Sequence, residues 1–213
     1  MFMKVLVAGA NGHTGRHIIE QLAEGGHQGF AMIRDPEQAG TLTSLGAADI
    51  VIADLEKNLS EAVKGMDAII FAAGSGSKTG PEKTIAVDQE GAKRLIDAGK
   101  EERIKQFVML SSVGADQPRG PIQQYLEAKH EADEHLKSSG IPYTIIRPGS
   151  LSFDEPTGKI ELSSHFESTK GRSIPRKDVA HTIVASLNHE KTLNKTFEIL
   201  SGDVEIEKAV DRL

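Results

Sequence analysis

Lys4-Val5-Leu6-Val7-Ala8-Gly9-Ala10-Asn11-Gly12-His13-Thr14-Gly15 is the stretch that decides the fold. Val5 to Ala8 is short, apolar and rich in β-formers, the pattern of a parallel strand buried on both faces. An amphipathic stretch follows at once, with Ile18, Ile19 and Leu22 spaced for one helical face. Gly9, Gly12 and Gly15 therefore fall on a strand-to-helix turn. Glycines there let the main chain turn sharply and approach a diphosphate closely. The helix N-terminus behind them offers unpaired N–H groups and the positive end of its dipole. The spacing is G-x-x-G-x-x-G rather than the commoner G-x-G-x-x-G. Between this strand and this helix it implies a bound dinucleotide.

Working outward, strands and helices alternate to the end of the chain. The patterns predict strands over Lys4–Ala8, Gly29–Ile33, Ile50–Ala53, Ala68–Ala72, Gln106–Leu110, Tyr143–Arg147 and Thr196–Leu200. They predict helices over Gly15–Glu24, Pro36–Leu45, Leu59–Val63, Glu82–Glu101, Gln123–Ser138, Lys177–Asn188 and Glu205–Arg212. Strict alternation points to an α/β fold with a doubly wound parallel sheet, a Rossmann fold, in a single domain over 1–213. A small substrate-side portion is expected over about 150–213. Ser75–Thr84, Ala115–Ile122 and Ser152–Gly171 are expected to be loops that shape a pocket.

Composition narrows the function. The 213 residues suit one full core. No apolar run nears the ~20 residues a bilayer crossing needs, and the start runs straight into a strand without the pattern of a signal peptide. The absence of cysteine excludes disulfides, thiolate metal sites and cysteine nucleophiles, and fits a reducing cytoplasm. A net charge of −6 with no basic stripe argues against nucleic acid. The histidines are scattered without ligand spacing, so no metal site is expected.

Ligands of such sheets sit beyond the carboxyl ends of the strands, so the residues just past each strand are informative. Arg34 follows the second strand, where a carboxylate would grip a ribose 2′-hydroxyl and an arginine instead pairs with a 2′-phosphate. This favours NADP(H), with NAD(H) as the alternative. Asp35 is placed either to pair with Arg34 or to cap a helix starting at Pro36. Asp54 and Leu55 follow the third strand, suited to an adenine amino group and ring face or, for Asp54, to a turn cap. Ala72, Ala73 and Gly74 follow the fourth, small enough for a ribose and adenine to lie against the backbone.

Ser111 and Ser112 follow the fifth strand. Tyr125 and Lys129 lie in the next helix at i, i+4, on one face. A nearby cation favours a tyrosinate, so such a phenol suits general acid/base work while a serine hydroxyl orients a carbonyl or alcohol.

Together these residues resemble the short-chain dehydrogenase/reductase superfamily, most nearly its compact atypical branch of NmrA-like and epimerase/dehydratase-like NAD(P)-binding proteins. The likeness is carried by Gly9 to Gly15, Ile33-Arg34-Asp35-Pro36, Ala72-Ala73-Gly74, Leu110-Ser111-Ser112-Val113-Gly114, and the Tyr125–Lys129 pair. It continues through Ile146-Arg147-Pro148-Gly149, Ile174 to Ala180, and Thr196-Phe197-Glu198-Ile199. The resemblance implies that Asn11, His13 and Thr14 lie near the phosphates and that Lys129 holds the nicotinamide ribose. It implies Tyr125 as proton donor or acceptor, Ser112 as the substrate-orienting hydroxyl, and Pro148 and Gly149 near the nicotinamide. Asp88 stands where many relatives carry asparagine. Many atypical relatives lack the tyrosine, so its presence argues for catalysis.

Three readings follow. The first is an NADP(H)-dependent reductase or dehydrogenase of a small carbonyl or alcohol. The second is a non-enzymatic NADP(H) sensor using Gly158–Arg172, with His165 and Phe166, as a partner surface. The third is a flavin or quinone reductase, for which Phe153 and Phe166 are the candidate stacking groups near the pocket rim. Large sugar-nucleotide substrates are not expected, because little sequence follows Gly149 to build a substrate lobe. Arg119 and Lys78 are the loop cations available to an anionic substrate. The oligomeric state is expected to be monomer or homodimer.

Overall fold

The computed structural model describes residues 2–76 and 80–213; Lys78 and the middle of the Ser75–Thr84 loop lie outside them. Strands β1 (Lys4–Ala8) and β2 (Gln28–Ile33) flank helix α1 (His13–Glu24). A 3-10 turn over Pro36–Gln38 and helix α2 (Ala39–Ser44) lead to β3 (Asp49–Ile52) and β4 (Ala68–Phe71). Next come α3 (Pro81–Lys83), a wide π-helical turn over Thr84–Gln89, α4 (Glu90–Glu102), β5 (Gln106–Leu110), α5 (Gln123–Ser138) and β6 (Tyr143–Pro148). The remainder is β7 (Ser150–Ser152), β8 (Lys159–Ser163), β9 (Ser173–Pro175), α6 (Arg176–Ala185), β10 (Lys195–Ser201), β11 (Val204–Glu205) and α7 (Ile206–Val210).

The main sheet runs in the order β11-β8-β10-β6-β5-β4-β1-β2-β3. From β1 the chain winds outward through β2 and β3, then returns to the other side of β1 to lay down β4, β5 and β6. All these pairings, and that of β10 with β6, are parallel. The winding reverses between β1 and β4, which opens a crevice at their carboxyl ends.

Alternation along the strands feeds two cores. Val5, Val7, Ile70 and Val108 join Ile18, Ile19, Leu22 and Ile183 of α1 and α6 on one face. Leu6, Ile69, Phe71 and Phe107 join Leu95, Ile96 and Leu136 of α4 and α5 on the other. Burial on both faces is why the central strands read as unbroken apolar runs.

Four elements differ from their expected form. The sheet is not wholly parallel: β8 lies within the expected loop Ser152–Gly171 and pairs antiparallel with both β10 and β11. Leu59–Val63 forms successive turns, not a helix. The Asn58 side chain accepts the Ser60 N–H and caps the first of these turns, which do not continue into a helix. The expected helix over Glu82–Glu101 is interrupted by the π-helical turn, and that over Pro36–Leu45 divides at Ala39.

Candidate functional site

The glycine turn is built for close approach. Gly9 has φ +83°, and a Cβ on it would fall 2.6 Å from Ala73 Cα, so β1's exit and β4's exit touch through bare main chain. A Cβ on Gly15 would lie 2.1 Å from the Gly9 carbonyl oxygen and 2.9 Å from Ala10. G15A is therefore expected to lower the unfolding free energy by about 1–3 kcal/mol, as overpacking against backbone does, which a urea titration reads directly. An unchanged midpoint would contradict this packing. Helix α1 starts with Gly12 as N-cap and no side-chain cap. Its first-turn N–H groups, on His13 and Thr14 among others, lack intrahelical acceptors and are free for an oxyanion. The Asn11 side chain is held by Arg16, which donates to Asn11 Oδ1 at 2.7 Å.

Around this turn lies a cleft of about 380 Å³. Gly9, Asn11 and Gly12 form one wall. Arg34, Asp54 and Leu55 form another, and Ala72, Ala73 and Gly74 form the floor. A larger hollow of about 870 Å³ between α1, α6 and α7 shares no lining residue with it and contains none of the expected site. Arg34 is exposed and, among the described residues, its side chain makes no ion pair or hydrogen bond. Asp35 does not engage it: its carboxylate accepts the Glu37 N–H and caps the turn at Pro36. Asp54 Oδ1 accepts the Glu56 N–H, so one of its oxygens serves a turn.

Ser112, Tyr125, Lys129, Pro148 and Gly149 belong to the exits of β5 and β6 and to α5 and do not line that cleft. Lys129 is buried, donates to the Leu110 carbonyl at 3.3 Å and pairs with Asp88 at 3.4 Å. Burial alone would lower its pKa, but the charges of Tyr125, Asp88 and Asp133 outweigh burial and hold the ammonium above the ordinary lysine value. Its Nζ sits 5.7 Å from the centroid of the half-buried Tyr125 ring. The Tyr125 hydroxyl has no hydrogen bond among the described residues. Ser112 Oγ donates to the Val113 carbonyl at 3.2 Å and not to Tyr125.

Ser111 is placed differently from its neighbour. It is buried, and its hydroxyl donates to Asp133 Oδ2 at 2.9 Å. The same oxygen accepts both Nε and Nη2 of the buried Arg147, at 3.1 and 2.9 Å. Burial pushes the Asp133 carboxyl above the ordinary range, against the downward pull of Arg147 and Ser111. This network ties α5 to the ends of β5 and β6. Beyond it, Val113 N–H donates to the Pro148 carbonyl and Gly149 N–H to the Ile199 carbonyl.

Asp88 and Asp133 are the site residues that pattern reading left without a role. Asp88 is fully buried on the π-helical turn, and its Oδ2 accepts the Ser75 N–H at 2.8 Å. It couples the loop after β4 to Lys129. The sequence signal for Asp133 was an acid on the apolar face of a predicted helix, where charge is retained only when paired. Phe166 is buried near β10, its N–H donated to Glu198, whereas Phe153 stands exposed beside the glycine turn.

Comparison with known proteins places this geometry. The model of a family described as NAD(P)H-binding matches residues 9–190. An uncharacterized sugar epimerase, YhfK of Bacillus subtilis (strain 168), is 40% identical over 99% of this chain and 100% of that protein. A solved structure from Bacillus halodurans, provisionally assigned as an NAD-dependent epimerase/dehydratase, superposes with TM-score 0.97 at 47% identity, covering 99% of this chain and 100% of that one. The oxidoreductase ylbE from Lactococcus lactis superposes with TM-score 0.86 at 29% identity, over 99% of this chain and 96% of that one.

Proposed function

This chain belongs to the NAD(P)H-binding family, and on that premise we propose that it is an NADP(H)-dependent oxidoreductase acting on a small carbonyl or alcohol. The observation that carries the reading is the Tyr125 phenol, without a hydrogen bond among the described residues, with the Lys129 ammonium beside its ring.

The residues present fit the dinucleotide. Gly9, Gly12 and Gly15 leave main chain bare where a Cβ would intrude, and the uncapped start of α1 supplies donors for a diphosphate. Asp54, Leu55 and Ala72 to Gly74 would hold the adenosine half, with Arg34 at its 2′ position. The cofactor supplies hydride; the protein supplies placement and the proton. Tyr125 would donate that proton to the developing alkoxide. Lys129, kept charged by Asp88 and Asp133, would stabilise the resulting tyrosinate and orient the ribose. Ser112 would turn its hydroxyl from Val113 to the substrate oxygen.

NADP(H) preference rests on Arg34, a cation lining the cleft without a side-chain partner among the described residues. R34A is expected to weaken NADPH binding about tenfold or more, the scale of a lost charge-assisted contact, and to change NADH binding little. Equal NADPH and NADH affinities in the unaltered protein would contradict that role. The reaction class is tested by following NADPH oxidation over a panel of carbonyl, flavin and quinone acceptors. Net oxidation with carbonyls supports the reading. An epimerase, the activity in YhfK's name, returns its hydride and gives no net oxidation. A sensor gives binding without turnover of any acceptor.

A further inference from the structure

Arg176 is the first residue of α6, immediately after β9. Its guanidinium carbon lies 4.0 Å from the centroid of the Phe153 ring. Phe153, 74% exposed, meets the His13 imidazole edge-on at 5.0 Å. His13 is the first residue of α1, in the turn whose N–H groups are uncapped. An aromatic bridge thus holds a guanidinium close to the start of α1.

This arginine is poorly satisfied. Its Nη1 is buried without a hydrogen-bond partner, and among the described residues the side chain makes no ion pair. Burial pushes the guanidinium pKa down, so the charge is held against a desolvation cost. A cation at a helix N-terminus also opposes the helix dipole. Two acids on the elements around it are committed: Glu20 pairs with Lys177, and Asp178 accepts the Thr157 and Gly158 N–H groups. Such a cluster of costs is offset when an anion arrives.

We propose that Arg176, shelved on Phe153, is a phosphate-binding residue that clamps a diphosphate seated on the glycine turn. The oxyanion is shared between the α1 N–H donors and the guanidinium fork, which suits paired phosphate oxygens. Contact with Phe153 restricts where the guanidinium sits, which lowers the ordering cost of binding. This rests on the cofactor reading above, which did not assign Arg176 or Phe153.

The test measures NADPH affinity by fluorescence titration, and melting temperature with and without sodium diphosphate, for the unaltered protein, R176M and R176K. R176M keeps an apolar stem for Phe153, and R176K retains the charge without the fork. The clamp predicts that R176M weakens NADPH binding about tenfold or more and abolishes the stabilisation by diphosphate, with R176K between. Retention of both in R176M overturns it, and should R176M fail to fold, retention of both in R176K does so. If the unaltered protein binds diphosphate through Arg176 but not NADPH, the cofactor reading fails and the phosphate site stands. A phosphorylated substrate would then be the source of the anion.

Discussion

Y125F is expected to cut NADPH-dependent turnover by about 10²–10⁴-fold, the contribution of a well-placed proton donor, while NADPH affinity stays within about twofold. The asymmetry follows from the structure. Among the described residues the phenol has no hydrogen bond to lose, so its removal strands no buried partner there. The ring that packs beside Lys129 is retained in phenylalanine. A structural role would lower the melting temperature and leave kcat alone. Loss of both turnover and binding, or of neither, contradicts Tyr125 as the proton donor.

D133A is expected to destabilise the protein by about 3–5 kcal/mol, because it leaves the buried Arg147 guanidinium without its carboxylate. Asp116, 3.6 Å from Arg147 Nη1 and more exposed, is too distant to compensate fully. Replacing both partners, as in D133A with R147M, is expected to recover much of the loss, since the stranded charge is then gone. Urea unfolding of the single and double variants reads this directly. A single variant as stable as the parent would show that Asp133 is not the partner that keeps Arg147 buried.

The central architecture was legible in the sequence for a physical reason. Strands such as Ala68–Phe71 are buried on both faces, so every position is apolar and the run stands out; in Gln106–Leu110 only Gln106 departs, its amide paired with Thr144, Ser186 and Asn188. The glycine turn was legible because only residues without side chains fit against Ala73 and the Gly9 carbonyl. The β8 strand was harder to read. Only Ile160 is fully buried in it, and Pro156 and Gly158 just before it read as loop. Leu59, Ala62 and Val63 are buried at helical spacing, yet they sit in turns; the spacing reports burial, not hydrogen bonding.

Arg34, Asp54 and Ala72 to Gly74 come together in one cleft because strand ends are few and their positions fixed by topology. Asp35 resolved as a cap and Ser111 as a core hydrogen bond, neither of which short-range pattern distinguishes from ligand contact. Asp88 depends on a π-helical turn that widens the helix by one residue, so helical periodicity misassigns its face. Arg176 carries no motif at all. Its interest comes from Phe153 and His13, which are distant in sequence and meet only in the folded chain.

Calorimetric titration of the unaltered protein with NADPH and with NADH bears most directly on the whole account. It predicts saturable one-to-one binding, tighter for NADPH. No heat of binding with either dinucleotide would contradict it.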